Sequence, residues 1–451
     1  MASGRFRILV LFFAALLAAY CAASAESGED LFSWLPLEDG SAVITGWKGA
    51  GTDLAFPETL NGHTVTRLSK SFSFNTPSVK NLRSVTIPDT MTVIEPGAFQ
   101  FAEYLADIRI AGNHPVFSFA DGVLYNREKQ SITLYLQSNK AGSFSVPAGI
   151  REIEDKAFIR AKLVSLMLPV SMERIGAESF NQCVTLEDIL LPEGLKSIGT
   201  DAFTNCDRLK RIMIPAGVTA IGEAAFTDNH LEEIRVDPGN TVFTVSDGAL
   251  INTRDGVLLA YPAGSAAESC AIPDGVRRIG RFAFYRSHHL KQVTFPDGLL
   301  EIAHGAFISC NHLSVIDLPD TVAVLEYEAF EGNSDAERLH IPAALAEITG
   351  NFNGAGIARL EIPETVTAVA GSFCSLPNLT EVVIPGSVKT LSGNSFAFCK
   401  NLSAVTIQSG TSEIGCSFIG CSASLAVRVE PDSYAERYCM DRQLNWEYIT
   451  D

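Results

Sequence analysis

Five cysteines, Cys183, Cys206, Cys310, Cys399 and Cys421, each stand three residues after a phenylalanine. In an exported chain such a set invites disulfide chemistry. Elsewhere the same place is filled by Asn229, Ser287 and Asn333. The slot therefore takes a small, weakly polar side chain, and free cysteine suits it as a small buried hydrophobe. The reading is a ladder of unpaired thiols, with bridge geometry as the deciding test. His289 and His312 also share a place, five residues after Phe284 and Phe307, and would stack in neighbouring units. A metal site needs more ligands and a supporting shell; both histidines precede a strand at a usually polar position and read as solvated. Six carboxylates, Asp89, Glu193, Asp274, Asp297, Asp320 and Glu364, each follow a turn proline. Calcium could use such a row, yet the slot also accepts Ala148, Val170, Ala216, Ala343 and Gly386. That marks it as turn chemistry and solubility.

The chain carries no H-E-x-x-H, no G-x-x-x-x-G-K-[ST], no C-x-x-C pair and no nucleophile elbow. No catalytic, cofactor-binding or metal-ligating residue is expected, and the chain does not read as an enzyme.

What positions all these residues is a repeat. Compare LKRIMIPAGVTAIGEAAF (Leu209 to Phe226) with LKQVTFPDGLLEIAHGAF (Leu290 to Phe307). Thirteen phenylalanines, from Phe72 and Phe99 through Phe158, Phe180, Phe203, Phe226 and Phe284 to Phe418, hold one place in this phrase. Where no loop intrudes they lie 21 to 23 residues apart. A fixed period of this length means one supersecondary unit per repeat, stacked so that neighbours cover each other's core. Within a unit the I-x-I piece alternates as a short strand does: Ile212 and Ile214 point in, Arg211 and Met213 point out. The proline that follows ends the strand. Gly222 permits a tight corner, and the Ala-Phe pair drops a ring into the middle of the coil. Parallel strands on one face and a stacked phenylalanine spine are the expectation.

Two intervals, Phe99 to Phe158 and Phe226 to Phe284, run to 59 and 58 residues. Each holds a matching segment with an aromatic, Asp-Gly, an apolar pair, a polar turn and a strand ending near tyrosine, which predicts a strand-turn-strand excursion. The outward residue at mid-strand varies from unit to unit. Met167, Leu190 and Met213 fall consecutively there and form an apolar stripe bordered by Arg235. Burial under an island and contact with a partner explain that stripe equally well. Asp317, His340 and Glu361 make a second, polar stretch on the same row.

The N-terminus has Arg5 and Arg7, an apolar run from Ile8 to Ala19, and Ala23-Ser24-Ala25 before Glu26. This is the pattern of a secretory signal peptide. Tyr20 is bulky where lipidation of Cys21 would require a small residue. No later stretch approaches ~18 consecutive apolar residues, so no integral membrane segment is expected after cleavage. The net charge is −18, and a surface so acidic repels nucleic acid and anionic membranes.

These phrases resemble the BspA-like class of bacterial leucine-rich repeat proteins, with the 23-residue repeats known from treponemes. The resemblance rests on the IP-x-x-V-x-x-I-G-x-x-AF-x-x-C unit, the ITGWKG entry, the DG-containing islands and the S-Y-A-E-x-Y-C exit. It implies an α/β repeat protein dominated by β, a curved right-handed leucine-rich repeat solenoid, secreted or surface-attached. In some members it implies adhesion to host proteins or other microbes. The expected organisation is a signal peptide over 1–25, an N-terminal cap and first repeat over 26–75, the solenoid over 76–425 with islands near 111–146 and 237–271, and a C-terminal cap over 426–451. The expected function is non-catalytic recognition of a protein or glycan, the alternative being a structural surface-layer or matrix component. Met167, Leu190, Met213 and Arg235 are the candidate partner-binding residues.

Overall fold

The computed structural model describes residues 28–74 and 76–449, so the signal-peptide segment and Cys21 lie outside the described residues. The chain divides into two compact units that meet in sequence at Pro115 and Val116. In the first, Phe32–Pro36 and Ala42–Trp47 pair antiparallel, and His63–Leu68 then joins Ala42–Trp47 in parallel. A second sheet stacks Asp53–Ala55, Ser84–Ile87 and Asp107–Ile110, all parallel. Its core centres on Phe56, Phe72 and Phe99, whose rings meet edge to face at 5.5 to 6.4 Å.

The second unit is a β-solenoid. The I-x-I pieces form a row of short parallel ladders, as in Ser143–Ser145, Ser165–Met167 and Asp188–Leu190, with Phe144, Leu166 and Ile189 in register. A second ladder, absent from the expectation of one strand face, runs through two-residue strands: Glu152–Ile153, Arg174–Ile175, Ser197–Ile198 and Ala220–Ile221. Each proline turn is closed by its own carbonyl, as in Leu195 N–H to Pro192 O at 3.0 Å.

The glycine after the second strand has a different role from the one expected. Gly222 does not take positive φ. A Cβ there would lie 2.3 Å from the backbone nitrogen of Thr200 in the preceding coil, so glycine is required by close approach. The corners are made instead by left-handed residues two before and two after the core phenylalanines from Phe158 to Phe396, as at Lys156 and Arg160, Glu178 and Gln182, Asp201 and Asn205. Positive φ costs a non-glycine residue roughly 1–2 kcal/mol. Main-chain bonds offset that cost, since this conformation aims alternate N–H groups at the next coil. Lys156, Phe158 and Arg160 donate to the carbonyls of Ala177, Ser179 and Asn181 at 2.8 to 2.9 Å.

The phenylalanine spine is present. Phe158, Phe180 and Phe203 are fully or almost fully buried, and successive rings from Phe158 to Phe226 stack at 5.1 to 5.8 Å. Each island heads such a column with a tyrosine in the phenylalanine place. Tyr135 stacks on Phe158 at 4.9 Å and Tyr261 on Phe284 at 5.0 Å. The islands are three-stranded. Phe117–Ala120, Val123–Asn126 and Ser131–Tyr135 form an antiparallel meander, as do Phe243–Ser246, Ala249–Asn252 and Val257–Ala260. Asp121-Gly122 and Asp247-Gly248 close the hairpins, both residues at positive φ as a two-residue loop demands. The third strand of each island is no excursion; it pairs in parallel with the next coil.

In the shortened repeat between Phe352 and Phe373, Leu360 and Ile362 remain buried, but the segment around Glu361 forms no strand. At the far end, Ser433 caps the helix Tyr434–Arg442, and Asn445–Tyr448 pairs with Ala426–Val429.

The cysteine ladder has a chemistry that small size alone did not reveal. The thiols of Cys183, Cys206, Cys310 and Cys399 donate to the carbonyls of Phe158, Phe180, Phe284 and Phe373, the core phenylalanines of the preceding coils, at 3.0 to 3.3 Å. Asn333 does the same for Phe307 at 3.0 Å. The slot supplies a second donor to a buried carbonyl: those of Phe158, Phe180 and Phe284 already accept the backbone N–H three residues on, from Ala161, Cys183 and Ser287. All nine described cysteines are free. Burial pushes the thiols of Cys183, Cys310 and Cys399 up to about 12.

Three outcomes follow from this packing. Replacing Phe203 with alanine opens a cavity inside the column and should destabilise the protein by about 3–5 kcal/mol in chemical denaturation; a loss well under 1 kcal/mol would show that the ring is not part of the core. A maleimide at neutral pH should label exposed Cys416 and spare Cys183, Cys206, Cys310 and Cys399 until the chain is denatured. Because the native thiols keep their protons to about 12 while unfolded thiols lose theirs near 9.0, the native state binds more protons across that window. Stability should be intact below pH 9.0 and fall as pH rises toward 12. A Cys183–Cys206 bridge in unreduced mass spectra would contradict the ladder.

Candidate interaction surface

The outward residues of the first ladder make the candidate surface. Strand alternation places Leu166, Ile189 and Ile212 in the core and turns Met167, Leu190 and Met213 outward. They are 64, 74 and 41% exposed, so no island covers them. Met167 and Leu190 are direct register partners, and Met213 is the partner of Arg235. The strands Asp188–Leu190 and Arg211–Ile214 touch without a ladder between them. Met167, Leu190 and Met213 thus occupy the equivalent outward place in three successive coils. Val170, just beyond the turn proline of the Met167 coil, is 88% exposed. It occupies the slot that carboxylates usually fill, and that departure in composition was its sequence signal.

Arg235 stands at the edge of the stripe but is not a free cation. Its Nε lies 2.7 Å from Glu233 Oε1, which holds the Glu233 carboxyl below the usual range, and Arg211 approaches the same carboxylate at 3.9 Å. The apolar centre is thus edged by two guanidiniums that share one carboxylate.

The other candidate groups do not converge. Asp317 and His340 are register partners, yet His340 Nε2 pairs with Asp320 Oδ1 at 3.1 Å. The backbone N–H of Ala343 and then His340 hold the Asp320 carboxyl low. His312 Nδ1 pairs with Asp335 at 2.9 Å, and His289 is exposed. Asp89, Glu193, Asp274, Asp297, Asp320 and Glu364 are all exposed. Among the described residues no three histidines, cysteines or carboxylates come together as a metal site. No helix among them is long and apolar enough to cross a membrane.

Stacked coils with inward leucine, isoleucine and valine on parallel strands define a leucine-rich repeat scaffold. The chain belongs to the BspA type leucine rich repeat family, whose model matches residues 69–146, 133–254, 263–373 and 369–435. The pneumococcal vaccine antigen PcpA shares the fold, with a TM-score of 0.51 at 20% identity over 93% of this chain and 96% of that one. A leucine-rich repeat protein from Eubacterium ventriosum gives 0.47 at 19% identity over 86% and 93% of the two chains. A leucine rich cell surface protein from Faecalibacterium prausnitzii gives 0.41 at 19% identity over 93% and 98%. Comparison with curated proteins gives no match.

If the carboxylate row serves turns and solubility alone, excess EDTA should leave the thermal midpoint unchanged. A reproducible fall that calcium restores would place a metal on that row.

Proposed function

We propose that this chain is an exported, non-catalytic recognition or adhesion protein that engages another protein through the strand face of its second unit. The observation that carries this reading is the exposed stripe of Met167, Leu190 and Met213. Water meets three large apolar side chains in a row, on a scaffold whose inward set alone holds the fold. Such a patch with a polar edge has the composition of an interface centre. Val170 enlarges it and Arg235 with Glu233 borders it. The leader-like N-terminus and the family's surface proteins support export. A glycan partner is less favoured here, because the stripe is aliphatic and thioether rather than aromatic.

The alternative, a structural surface-layer or matrix component whose partner is another copy of itself, would use the same stripe for self-contact. One set of variants separates the two. Met167→Ser, Leu190→Ser and Met213→Ser combined should leave circular dichroism and the thermal midpoint unchanged, since all three side chains face solvent. Binding to whichever matrix protein the native chain retains in a screen should fall by tenfold or more, about 1.4 kcal/mol at minimum. Unchanged affinity with an intact fold would remove the stripe as the site. Loss of self-association in place of partner binding would favour the matrix reading.

A further inference from the structure

The second island ends a sheet with an open edge. Its first strand, Phe243–Ser246, pairs with Ala249–Asn252 and, among the described residues, with no strand beyond it. The Asp247-Gly248 loop joins Ser246 and Ala249 as directly opposite residues. In a two-residue hairpin that closing pair exchanges both main-chain bonds, and the bonded pairs then alternate. Thr244 with Ile251 is the next bonded pair, and the bond from Thr253 N–H to Val242 O at 2.9 Å continues the alternation. Val245 therefore turns its N–H and C=O away from the hairpin, toward the open edge. Phe243 faces the same way, but its N–H is taken by Asn240 Oδ1 at 2.8 Å.

Two cavities flank this strand and meet on it. One of about 410 Å³ lies against the turn Pro273–Val276, the other of about 380 Å³ against the Val236–Thr241 turn, and both are lined by Thr244, Val245 and Thr253. Each has an apolar wall, Ile251 and Val276 in the first, Val236 and Phe243 in the second. Each also has a carboxylate, Asp274 and Asp237 respectively, and neither takes part in an ion pair among the described residues. An added strand projects successive side chains to opposite faces, so a groove of this form accepts an extended backbone with side chains received on both sides.

We propose that the Phe243–Ser246 edge is a docking site for an extended, basic segment of a partner polypeptide, captured by strand addition. Backbone bonds to Val245 supply affinity, and the paired hollows select apolar side chains with lysine or arginine beside them. The carboxylates argue for a basic occupant and against a second copy of this edge, which would bring Asp237 and Asp274 against their own kind. The chain's net charge of −18 works in the same direction. This surface is separate from the methionine and leucine stripe, so either can fail alone.

The test uses the full chain and a short acetylated peptide that alternates valine and lysine. The peptide should bind, and the Val245 amide should exchange with deuterium more slowly when it does. Methylating one alternate set of the peptide's amide nitrogens should weaken binding about tenfold or more, because the ladder bonds are removed while the side chains remain. Val245→Pro should do the same with circular dichroism unchanged, since the lost N–H faces no partner within the sheet. Should that variant misfold, the methylated peptides on the native chain decide. Equal binding of both methylated peptides overturns the proposal, as does equal binding of a valine–glutamate peptide or no protection at Val245. Protection of Val245 that grows with protein concentration and no peptide would assign the edge to a second copy and overturn the basic partner.

Discussion

One ring per coil, each stacked on the last at close to the spacing of neighbouring strands, is the constraint on which the second unit depends. Ring centroids 4.6 to 5.6 Å apart from Phe284 to Phe373 leave almost no freedom in coil rise, because the ladders want about 4.8 Å. Once the ring must return to one height every 21 to 23 residues, the chain on either side of it must turn within two residues. That forces left-handed corners at Lys156, Arg160 and their counterparts. The corners bury the phenylalanine carbonyl, which accepts a backbone N–H from its own turn and has a second lone pair facing the following coil. Cysteine and asparagine side chains there donate to that second lone pair. A slot that looks like composition bias is the last link in a chain of steric and polar requirements.

Much of this was legible in the sequence, because packing that repeats leaves a repeating trace. The period, the inward I-x-I residues and both hairpin loops could all be read from residue types whose physics is local. The second ladder could not, since strands of two residues such as Ser197–Ile198 carry too little alternation to register. The left-handed corners were equally hidden. Lys156, Glu178 and Gln182 have no intrinsic preference for positive φ, and only the coil-to-coil hydrogen bonds make it worthwhile. The role of Gly222 was misread for a related reason: sequence shows that a side chain is absent but not whether conformation or crowding excludes it. For the surface, the sequence placed Met167, Leu190 and Met213 outward. Their exposure depended on where an island of some thirty residues folds, and residue types alone do not say.

The division between repeated interior and varied exterior also bears on function. Every inward substitution disturbs two neighbouring coils, whereas Met167, Leu190 or Val170 can change at little cost to the fold. A large apolar residue exposed at such a position is not required by stability, and this is what leaves the stripe open to the partner role proposed for it. The same reasoning applies less strongly to Arg235, whose pairing with Glu233 gives it a local structural role.

The second island presents the opposite case, where the repeat gives way and specific polar contacts take over. Its strands serve two cores at once: Ala249, Ile251 and Leu258 pack with the downstream cluster, and Leu250, Leu259 and Ala260 with the upstream one. Arginines of the coil beyond reach back across it, Arg278 to Glu223, Arg281 to Asp201 at 2.7 Å, and Arg286 to Asp228 at 2.8 Å. These pairs are partly exposed, so each contributes little to stability. Burial even lifts the Asp201 carboxyl above its ordinary range despite the adjacent guanidinium. Their value is directional. Apolar faces of a solenoid can slip by one coil and still bury the same area, but a guanidinium bonded to one carboxylate cannot. Where ring stacking passes from one column to the next, fixed charge pairs set the register that the repeat no longer enforces.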